Sequence, residues 1–192
     1  MPRALPAHEA DVVVIEQSWR DPERFAAIFD RHYAGIHAYA ARRLGGGLAD
    51  DVAAETFLIA FDKRAGYDVS HPDARPWLYG IASNLIARHR RAEVRQYRAL
   101  ARAGADDPAE DHAERVAGAV DAGASTARLA AALAEIADGD RDVLLLVAWA
   151  ELTSEEAGSA LGIPAGTARS RLHRARKKIQ AALGQAALGE DA

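Results

Sequence analysis

The chain has 192 residues with 24 Lys and Arg against 28 Asp and Glu, a net charge of −4 and no cysteine. Without cysteine, a disulfide framework, a thiolate nucleophile and a Cys-ligated zinc site are excluded. The first ten residues lack the apolar core of a secretory signal, and the longest apolar run, Val143–Ala150, is too short to cross a bilayer. We therefore expect a cytoplasmic protein without membrane insertion, built from two small domains.

Alanine dominates the composition, while alternating runs of Val, Ile and Thr, which are typical of strands, are missing. Alanine is the strongest helix former because it loses no side-chain rotamer freedom in a helix. The composition therefore predicts an all-α protein.

The first half of the chain predicts three helices. Asp21-Pro22 starts the first with a capping carboxylate and a proline at the first helical position, and Gly45-Gly46-Gly47 ends it. The second helix is predicted at about 49–61. A polar loop, 62–73, separates it from a third helix that runs from about 76 through an arginine-rich end at 102.

The composition changes abruptly at 103–125, where six acidic residues stand against the single Arg115 and large apolar side chains are scarce. Such a segment buries too little apolar area to offset its chain entropy. It predicts a flexible acidic linker between a domain of residues 11–102 and a domain of residues 126–184.

The second domain has the pattern of a helix-turn-helix. Thr153 and Glu156 form a capping box, Gly162 marks a turn, and Pro164 opens a second helix. The span 157–189 holds six basic residues and no acid. The expected buried stripe of the second helix is Ala168, Leu172, Ala175 and Ile179. Such a helix fits a DNA major groove, so we favour DNA binding over a merely solvated basic face.

A second basic region, 88–102, follows a group of aromatic residues. Tyr67, His71 and Trp77 lie upstream of it, and rings beside arginines suit unstacked bases, which stack on the rings while arginine holds the backbone. For Trp77 itself we favour a place in the hydrophobic core, and for Tyr67 a place in the core is as good an interpretation as base stacking.

Three segments resemble regions 2 and 4 of the sigma-70 family of bacterial RNA polymerase sigma factors, in particular its extracytoplasmic-function (ECF) subfamily. They are DDVAAETFL at 50–58, RPWLYGIASN at 75–84 and GIPAGTARSRLHRAR at 162–176. The resemblance covers about residues 11–91 and 126–183. It implies a factor that binds core polymerase and directs promoter-specific initiation, with an all-α fold of region 2 and a helix-turn-helix region 4.

The resemblance also implies three sets of site residues. The set expected to bind the clamp helices of core polymerase is Asp51, Glu55, Thr56, Phe57 and Leu58. The set expected to capture an unstacked base of the −10 element is Tyr67, His71, Asn84, Arg88, His89 and Arg91. The set expected to read the −35 element of promoter DNA is Gly166, Thr167, Arg169, Ser170, Arg171, His173, Arg174 and Lys177. The partners implied are core polymerase and promoter DNA. Because the chain ends soon after its last helix, we expect silencing to come from outside, most simply from an anti-sigma protein, or from control of synthesis.

Three positions depart from the family pattern. Ala54 stands where glutamine is common, and Ala168 is smaller than the usual valine. Gly158 lies inside the first helix of the helix-turn-helix, where glycine costs about 1 kcal/mol relative to alanine. We expect tertiary packing to offset that cost.

Two other functions compete with this interpretation. A helix-turn-helix regulator that binds duplex DNA alone would have a similar second domain, but usually with a ligand-binding or phosphoacceptor domain before it. An enzyme is the second alternative. The seven histidines form no HExxH pattern, no nucleophile elbow occurs, and the glycines 45–47 follow a helix rather than a strand. We expect no catalytic residue, no metal site and no cofactor.

Overall fold

The computed structural model describes residues 9–103 and 116–184, and within these ranges it contains nine α-helices, two short 3-10 turns and no strand. The helices of the first half are α1 (Asp11–Ser18), α2 (Ala26–Leu44), α3 (Gly46–Lys63), α4 (Arg75–Ala87) and α5 (Arg90–Ala103). Those of the second half are α6 (Val116–Glu135), α7 (Asp138–Trp149), α8 (Ser154–Ala160) and α9 (Ala165–Gly184). The all-α prediction is confirmed.

Two helix boundaries differ from those predicted. Asp21 precedes a 3-10 turn, Pro22–Phe25, and its side chain forms no capping hydrogen bond, so α2 begins only at Ala26. The predicted third helix is two helices, because the amides of Arg88 and His89 bond to carbonyls three residues back and tighten the end of α4. The chain changes direction at this point, and α5 then packs along α6 of the second half.

The predicted linker, 103–125, overlaps a helix. α5 ends at Ala103 and α6 begins at Val116, ten residues before the predicted end of the linker. Residues 104–115 lie outside the described residues. The segment 116–125 is rich in alanine, which supports a helix even where large apolar side chains are few.

The first half forms its core where α2, α3 and α4 meet. The aliphatic side chains of Ile28, Ile36, Leu78 and Ile86 are at most 1% exposed there. Within each of α2 and α4 the two positions are eight residues apart, a spacing that keeps both on one apolar stripe of the helix.

The helix-turn-helix is built as its spacing predicts. The Thr153 hydroxyl accepts from the Glu156 amide at 3.2 Å, and the Glu156 carboxylate accepts from the Thr153 amide at 2.7 Å, so the capping box is confirmed. Gly162 makes the turn with φ of 63°. A Cβ on Gly158 would lie 3.1 Å from the Ile163 carbonyl oxygen, so this glycine allows the chain to turn back closely on α8.

The inner face of α9 matches the predicted stripe. Ala168 and Ala175 are fully buried, Leu172 is buried, and Ile179 is half-buried against the core. This packing fixes which side of α9 faces outward.

The two halves pack directly on one another. α4 lies so close to α8 that a Cβ on Gly80 would lie 2.4 Å from the Ala160 carbonyl oxygen. α5 of the first half also packs along α6 of the second half.

A fully buried arginine joins the halves. The Arg43 guanidinium of α2 donates to Glu93 of α5 at 2.6 Å, to Asp142 of α7 at 2.6 Å and to the Tyr39 hydroxyl at 2.8 Å. Burial disfavours its charge, but Tyr39, Glu93 and Asp142 together raise the pKa of Arg43 above its ordinary value. Arg90 donates to the other carboxylate oxygen of Asp142 at 3.1 Å, so Asp142 accepts hydrogen bonds from both Arg43 and Arg90.

Arg141 of α7 completes the buried ionic network. Its guanidinium donates to Glu93 at 3.3 Å and to Asp138 at 2.6 Å. It also donates to the carbonyls of Leu133 and Ile136 at the end of α6, both at 3.1 Å. Glu93 thus lies between two buried guanidinium groups from opposite halves of the chain.

Candidate nucleic-acid interface

A pocket of about 280 Å³ opens between the 67–73 loop and α4. Three residues predicted for the −10 element line it, namely Tyr67, His71 and Asn84, and Trp77 forms part of its wall. Ser159 and Ala160 of α8 lie at its rim, so the second half of the chain contributes to this site. The two segments are far apart along the chain, so no local sequence pattern predicts this contribution.

Tyr67 is buried, so its ring does not offer the exposed stacking surface that the sequence suggested. It is 7% exposed, and its hydroxyl donates to the carbonyls of His71 at 2.7 Å and Asp73 at 3.1 Å. Burial, together with the carboxylates of Asp11 and Asp73, raises its pKa to about 12. Its ring packs 5.0 Å from that of half-buried Trp77, so Tyr67 shapes the pocket from inside.

Two carboxylates hold the start of α4 and, with it, the pocket. Asp73 accepts from the Arg75 amide at 2.9 Å and from its guanidinium at 2.8 Å. Asp11 accepts from the Ala74 amide at 2.9 Å and pairs with Arg31 and His32. Asp73 lies only two residues before Arg75, so its contact with that amide is local, whereas nothing in the sequence links Asp11 to residue 74.

Asp11 keeps its charge although it is buried. Burial alone would raise its pKa, but the His32 and Ala74 hydrogen bonds and the nearby Arg31 charge bring that pKa below the ordinary value. The carboxylate therefore remains an acceptor for the α4 amide at neutral pH.

The other residues of the −10 set, Arg88, His89 and Arg91, lie beyond the pocket. They follow exposed Asn84 of the pocket wall, at the junction of α4 with α5. Arg88 also pairs with Glu55 of α3 at 3.1 Å. The site is thus a small pocket continued by a cationic surface.

The structure corrects two members of the set expected to bind polymerase. The hydroxyl of Thr56 is buried and donates to the Val52 carbonyl at 2.7 Å. Phe57 is 5% exposed and packs edge-on against Phe29, with ring centroids 5.0 Å apart. Neither side chain reaches the surface, because this part of α3 faces α2.

The exposed part of α3 is mixed apolar and acidic. Leu58 is 62% exposed. Phe29 of α2 is 40% exposed, and its ring packs against the buried ring of Phe57. Asp51 and Glu55 are exposed on α3. This surface, defined by Phe29, Asp51, Glu55 and Leu58, is called the α3 face below.

The outer side of α9 presents most of the set predicted for the −35 element. The exposed members are Gly166, Arg169, Ser170, His173, Arg174 and Lys177, whereas Thr167 and Arg171 are half-buried. The Arg171 guanidinium packs against Gly139, where a Cβ would lie 2.6 Å from Nη1, so this arginine supports the contact between α9 and α7. Lys178 donates to the Glu135 carbonyl at 3.0 Å and also joins α9 to a neighbouring helix.

Two arginines of this outer side already bind carboxylates. Arg169 pairs with Glu155 of α8 at 3.2 Å. Arg174 binds Asp140 through two nitrogens at 2.9 and 2.7 Å, and this hydrogen bonding raises the pKa of its guanidinium. Both arginines are about three-fifths exposed, so solvent screens these pairs and they are readily exchanged for phosphate or base partners.

Within the described ranges, no three His, Asp or Glu side chains come together as a metal site would require. In the same ranges, no helix combines the length and apolarity needed to span a membrane.

Both halves of the chain match known families. Residues 28–96 match the family described as Sigma-70 region 2, which takes in the pocket and the α3 face. Residues 126–179 match the family described as Sigma-70, region 4, which takes in the helix-turn-helix.

The most similar curated proteins include relatives from several bacteria. RNA polymerase sigma factor CarQ of Myxococcus xanthus is 32% identical over 168 residues, covering 85% of this chain and 91% of CarQ. RNA polymerase sigma factor CnrH of Cupriavidus metallidurans is 30% identical, covering 91% and 95% of the two chains. ECF RNA polymerase sigma factor SigW of Bacillus subtilis is 29% identical, covering 83% and 89%.

Two solved structures share the fold. CnrH in complex with the cytosolic domain of CnrY matches with a TM-score of 0.61 and 23% identity, over 95% of this chain and 99% of CnrH. The sigma factor RpoE in complex with the anti-sigma factor NepR from Bartonella quintana matches with a TM-score of 0.57 and 19% identity, over 83% and 96%. The likeness extends over both halves.

Proposed function

Since this chain belongs to the ECF subfamily of the sigma-70 family and is an RNA polymerase sigma factor, we propose that three of its surfaces divide the steps of promoter-specific initiation. Sigma factors are initiation factors rather than enzymes. A regulator that acts without polymerase is not favoured, because the relatives match over the first half as well as over the helix-turn-helix. The expected place of action of this sigma factor is the cytoplasm, where polymerase transcribes.

The pocket between the 67–73 loop and α4 is proposed to hold an unstacked base of the −10 element. Trp77 and His71 offer ring surfaces, Asn84 offers both a donor and an acceptor for base edges, and Arg88 follows on the same side. Tyr67 and Asp73 keep the loop in shape through the hydrogen bonds described above. One observation carries the proposal: a single chain joins an aromatic pocket bordered by arginines to a helix-turn-helix whose outer side is basic.

The outer side of α9 is proposed to read the −35 element. Arg169 and Ser170 lie in the first turns of α9, where a recognition helix meets base edges, and Lys177 lies further along, where phosphate is the nearer partner. Exposure of these side chains supports the assignment. Thr167 and Arg171 are proposed to support the helix rather than to read bases.

The α3 face is proposed to bind core polymerase. Leu58 is the most exposed of the large apolar side chains in the described part of the chain, and carboxylates flank it. An apolar side chain with an acidic rim suits a basic, partly apolar protein surface. Phe57 is proposed to contribute indirectly, by supporting Phe29 from below.

The test of this function is reconstitution of the full chain with core polymerase. The wild-type chain is expected to bind core and to start transcription at specific sites in a promoter library, whereas Leu58→Glu is expected to weaken core binding at least about tenfold with helicity unchanged. Leu183→Glu, on an exposed leucine of α9, is the matched control and should leave core binding unchanged. Undiminished core binding by Leu58→Glu would overturn the assignment of the α3 face.

An anti-sigma protein is proposed as a further partner. In both matched structures a sigma factor is in complex with another protein, which is the cytosolic domain of CnrY in one and the anti-sigma factor NepR in the other. A two-half fold like theirs supports the same kind of regulation here. Co-purification of the chain from its native cells, followed by inhibition of the reconstituted transcription, tests it.

A further inference from the structure

The first helix of the chain, α1, contacts both ends of the loop that forms the proposed −10 pocket. This loop, residues 64–74 between α3 and α4, is called the capture loop below. α1 has eight residues and therefore rises about 12 Å. The match to Sigma-70 region 2 begins at residue 28, after α1. None of the three surfaces proposed above includes a residue of this helix.

The start of α1 holds the end of the capture loop. The Val12 amide donates to the Pro72 carbonyl at 3.4 Å, and the Asp11 carboxylate accepts from the Ala74 amide at 2.9 Å. The first amides of a helix have no partner within that helix, and Ala74, which precedes α4, has no polar side chain to act as a cap. Asp11 therefore supplies an acceptor from a different helix.

The Asp11 carboxylate is itself held firmly by α2. It is 5% exposed, the His32 Nε2 atom lies 2.8 Å from one of its oxygens, and the Arg31 guanidinium donates to the other. Because both partners belong to α2, the position of the Ala74 amide is tied to the core of the first half. The end of the capture loop is thus fixed by side chains that lie outside the loop.

The other end of α1 holds the start of the capture loop. Trp19 follows α1 directly, and its indole N–H donates to the Arg64 carbonyl at 3.0 Å. In return, the Arg64 guanidinium donates to the Ser18 carbonyl at 3.3 Å and lies over the Phe61 ring, 3.8 Å from its centroid. Trp19 is 44% exposed, so its hydrogen bond to the capture loop explains its position better than core packing does.

Fixing both ends of the capture loop also fixes the width of the pocket. Tyr67 and His71 belong to the loop, whereas Trp77 and Asn84 face them from α4, and a base must fit between these two walls. A pocket that is already shaped before binding loses less conformational freedom when its ligand enters. Contacts that keep the loop at a set distance from α4 should therefore strengthen base capture without touching the base.

We propose that α1 positions the capture loop, and that Asp11 and Trp19 are positioning residues for capture of the −10 base. This inference rests on the proposed function, because it assigns a role toward the same pocket. Asp11 acts through the Ala74 amide and Trp19 through the Arg64 carbonyl. Binding to core polymerase and recognition of the −35 element do not use α1.

The experiment measures the affinity of the holoenzyme for single-stranded −10 oligonucleotides that carry an abasic site at each position in turn. For the wild-type chain we expect a loss of about tenfold at the position of the captured base, which is the usual scale for one base stacked on an aromatic ring. Asp11→Ala removes the acceptor of the Ala74 amide, and Trp19→Phe removes only the indole N–H. Both should reduce that loss to about threefold or less, by weakening binding of the intact oligonucleotide.

This ratio separates positioning from stability. A variant that is partly unfolded binds the intact and the abasic oligonucleotide more weakly by the same factor, so the ratio of the two affinities stays at its wild-type value. Trp19→Phe keeps the test decisive if Asp11→Ala does not fold, because it changes a side chain that is already exposed. Glu16→Gln is the matched control, since Glu16 is exposed on α1 and should keep the wild-type ratio.

The outcomes distinguish the role of α1 from the function of the pocket. A wild-type chain with one sensitive position, together with the full tenfold loss in Trp19→Phe or in folded Asp11→Ala, would overturn the role of α1 and leave the proposed function standing. A wild-type chain that initiates at specific promoters but has no sensitive position would overturn the pocket assignment and the role of α1 with it. Weakened core binding by Trp19→Phe would show that α1 serves polymerase binding and would also overturn the inference.

Discussion

The two faces of α5 use charge in opposite ways. On the inner face, Glu93 is fully buried and receives hydrogen bonds from Arg43 and Arg141, while on the outer face Arg95 and Arg98 are exposed and unpaired in the described residues. The inner charges balance because a buried ion without a partner would cost several kcal/mol. The outer charges need no balancing partner because water solvates them. The same helix therefore separates charges that stabilise the fold from charges that folding does not require.

The largest expected effect comes from the inner face. Glu93→Ala leaves two buried guanidinium groups without their shared carboxylate and should lower the free energy of unfolding by about 3–5 kcal/mol. Arg95→Ala, two residues further on the outer face, should change it by no more than about 0.5 kcal/mol. Urea unfolding of both variants measures the difference. A loss below about 1 kcal/mol for Glu93→Ala would show that the network contributes little to stability.

A smaller effect is expected at the contact between α4 and α8. Gly80→Ala would place a methyl group 2.4 Å from a backbone oxygen of α8, and we expect it to cost about 1–3 kcal/mol of stability as the helices move apart. Gly47→Ala, in open space on α3, should be neutral or slightly stabilising. If the two alanines behaved alike in chemical denaturation, α4 and α8 would not pack as closely as described.

The sequence predicts those structural features that depend on residues close to one another along the chain. The capping box of Thr153 and Glu156 and the stripe of α9 depend on spacings of three and four residues, and both predictions are confirmed. Glu93 and Arg141 are 48 residues apart and lie in different halves, so no local pattern connects them. Local patterns in the sequence therefore do not indicate that the two halves of the chain share a buried ionic network.

The residues of the candidate site are likewise predictable only where a local pattern defines which side of a helix is buried. The predicted outer side of α9 is exposed, because one apolar stripe defines the other side of that helix. α3 is different, since its apolar side chains are not confined to one stripe, and its pattern alone does not show whether Phe57 or Leu58 is buried. Only the contact with Phe29 on α2 shows that Phe57 points inward and Leu58 outward.

The smallest effect concerns the buried carboxylate at the start of α4 and appears only in acid. The folded-state pKa of Asp11 lies below its unfolded value, so its contribution to stability is present above about pH 4 and is lost as pH falls through the folded pKa. Asp11→Asn should therefore lower stability at neutral pH and flatten its decline in acid. Asp30→Asn, at an exposed carboxylate, should keep the wild-type profile. Thermal melts between pH 3 and 7 test this, and parallel profiles for wild type and Asp11→Asn would contradict it.

The most direct measurement of promoter recognition is a comparison of Arg169→Ala with Lys177→Ala in holoenzyme, on promoters that vary one −35 base pair at a time. Both side chains are exposed on α9, but Arg169 lies in its first turns and Lys177 about two turns further on. Arg169→Ala should remove about 1–3 kcal/mol of discrimination at particular base pairs, whereas Lys177→Ala should weaken all promoters alike and soften their salt dependence. Base-specific loss with Lys177→Ala and uniform loss with Arg169→Ala would contradict the assignment of the outer side of α9 to −35 recognition.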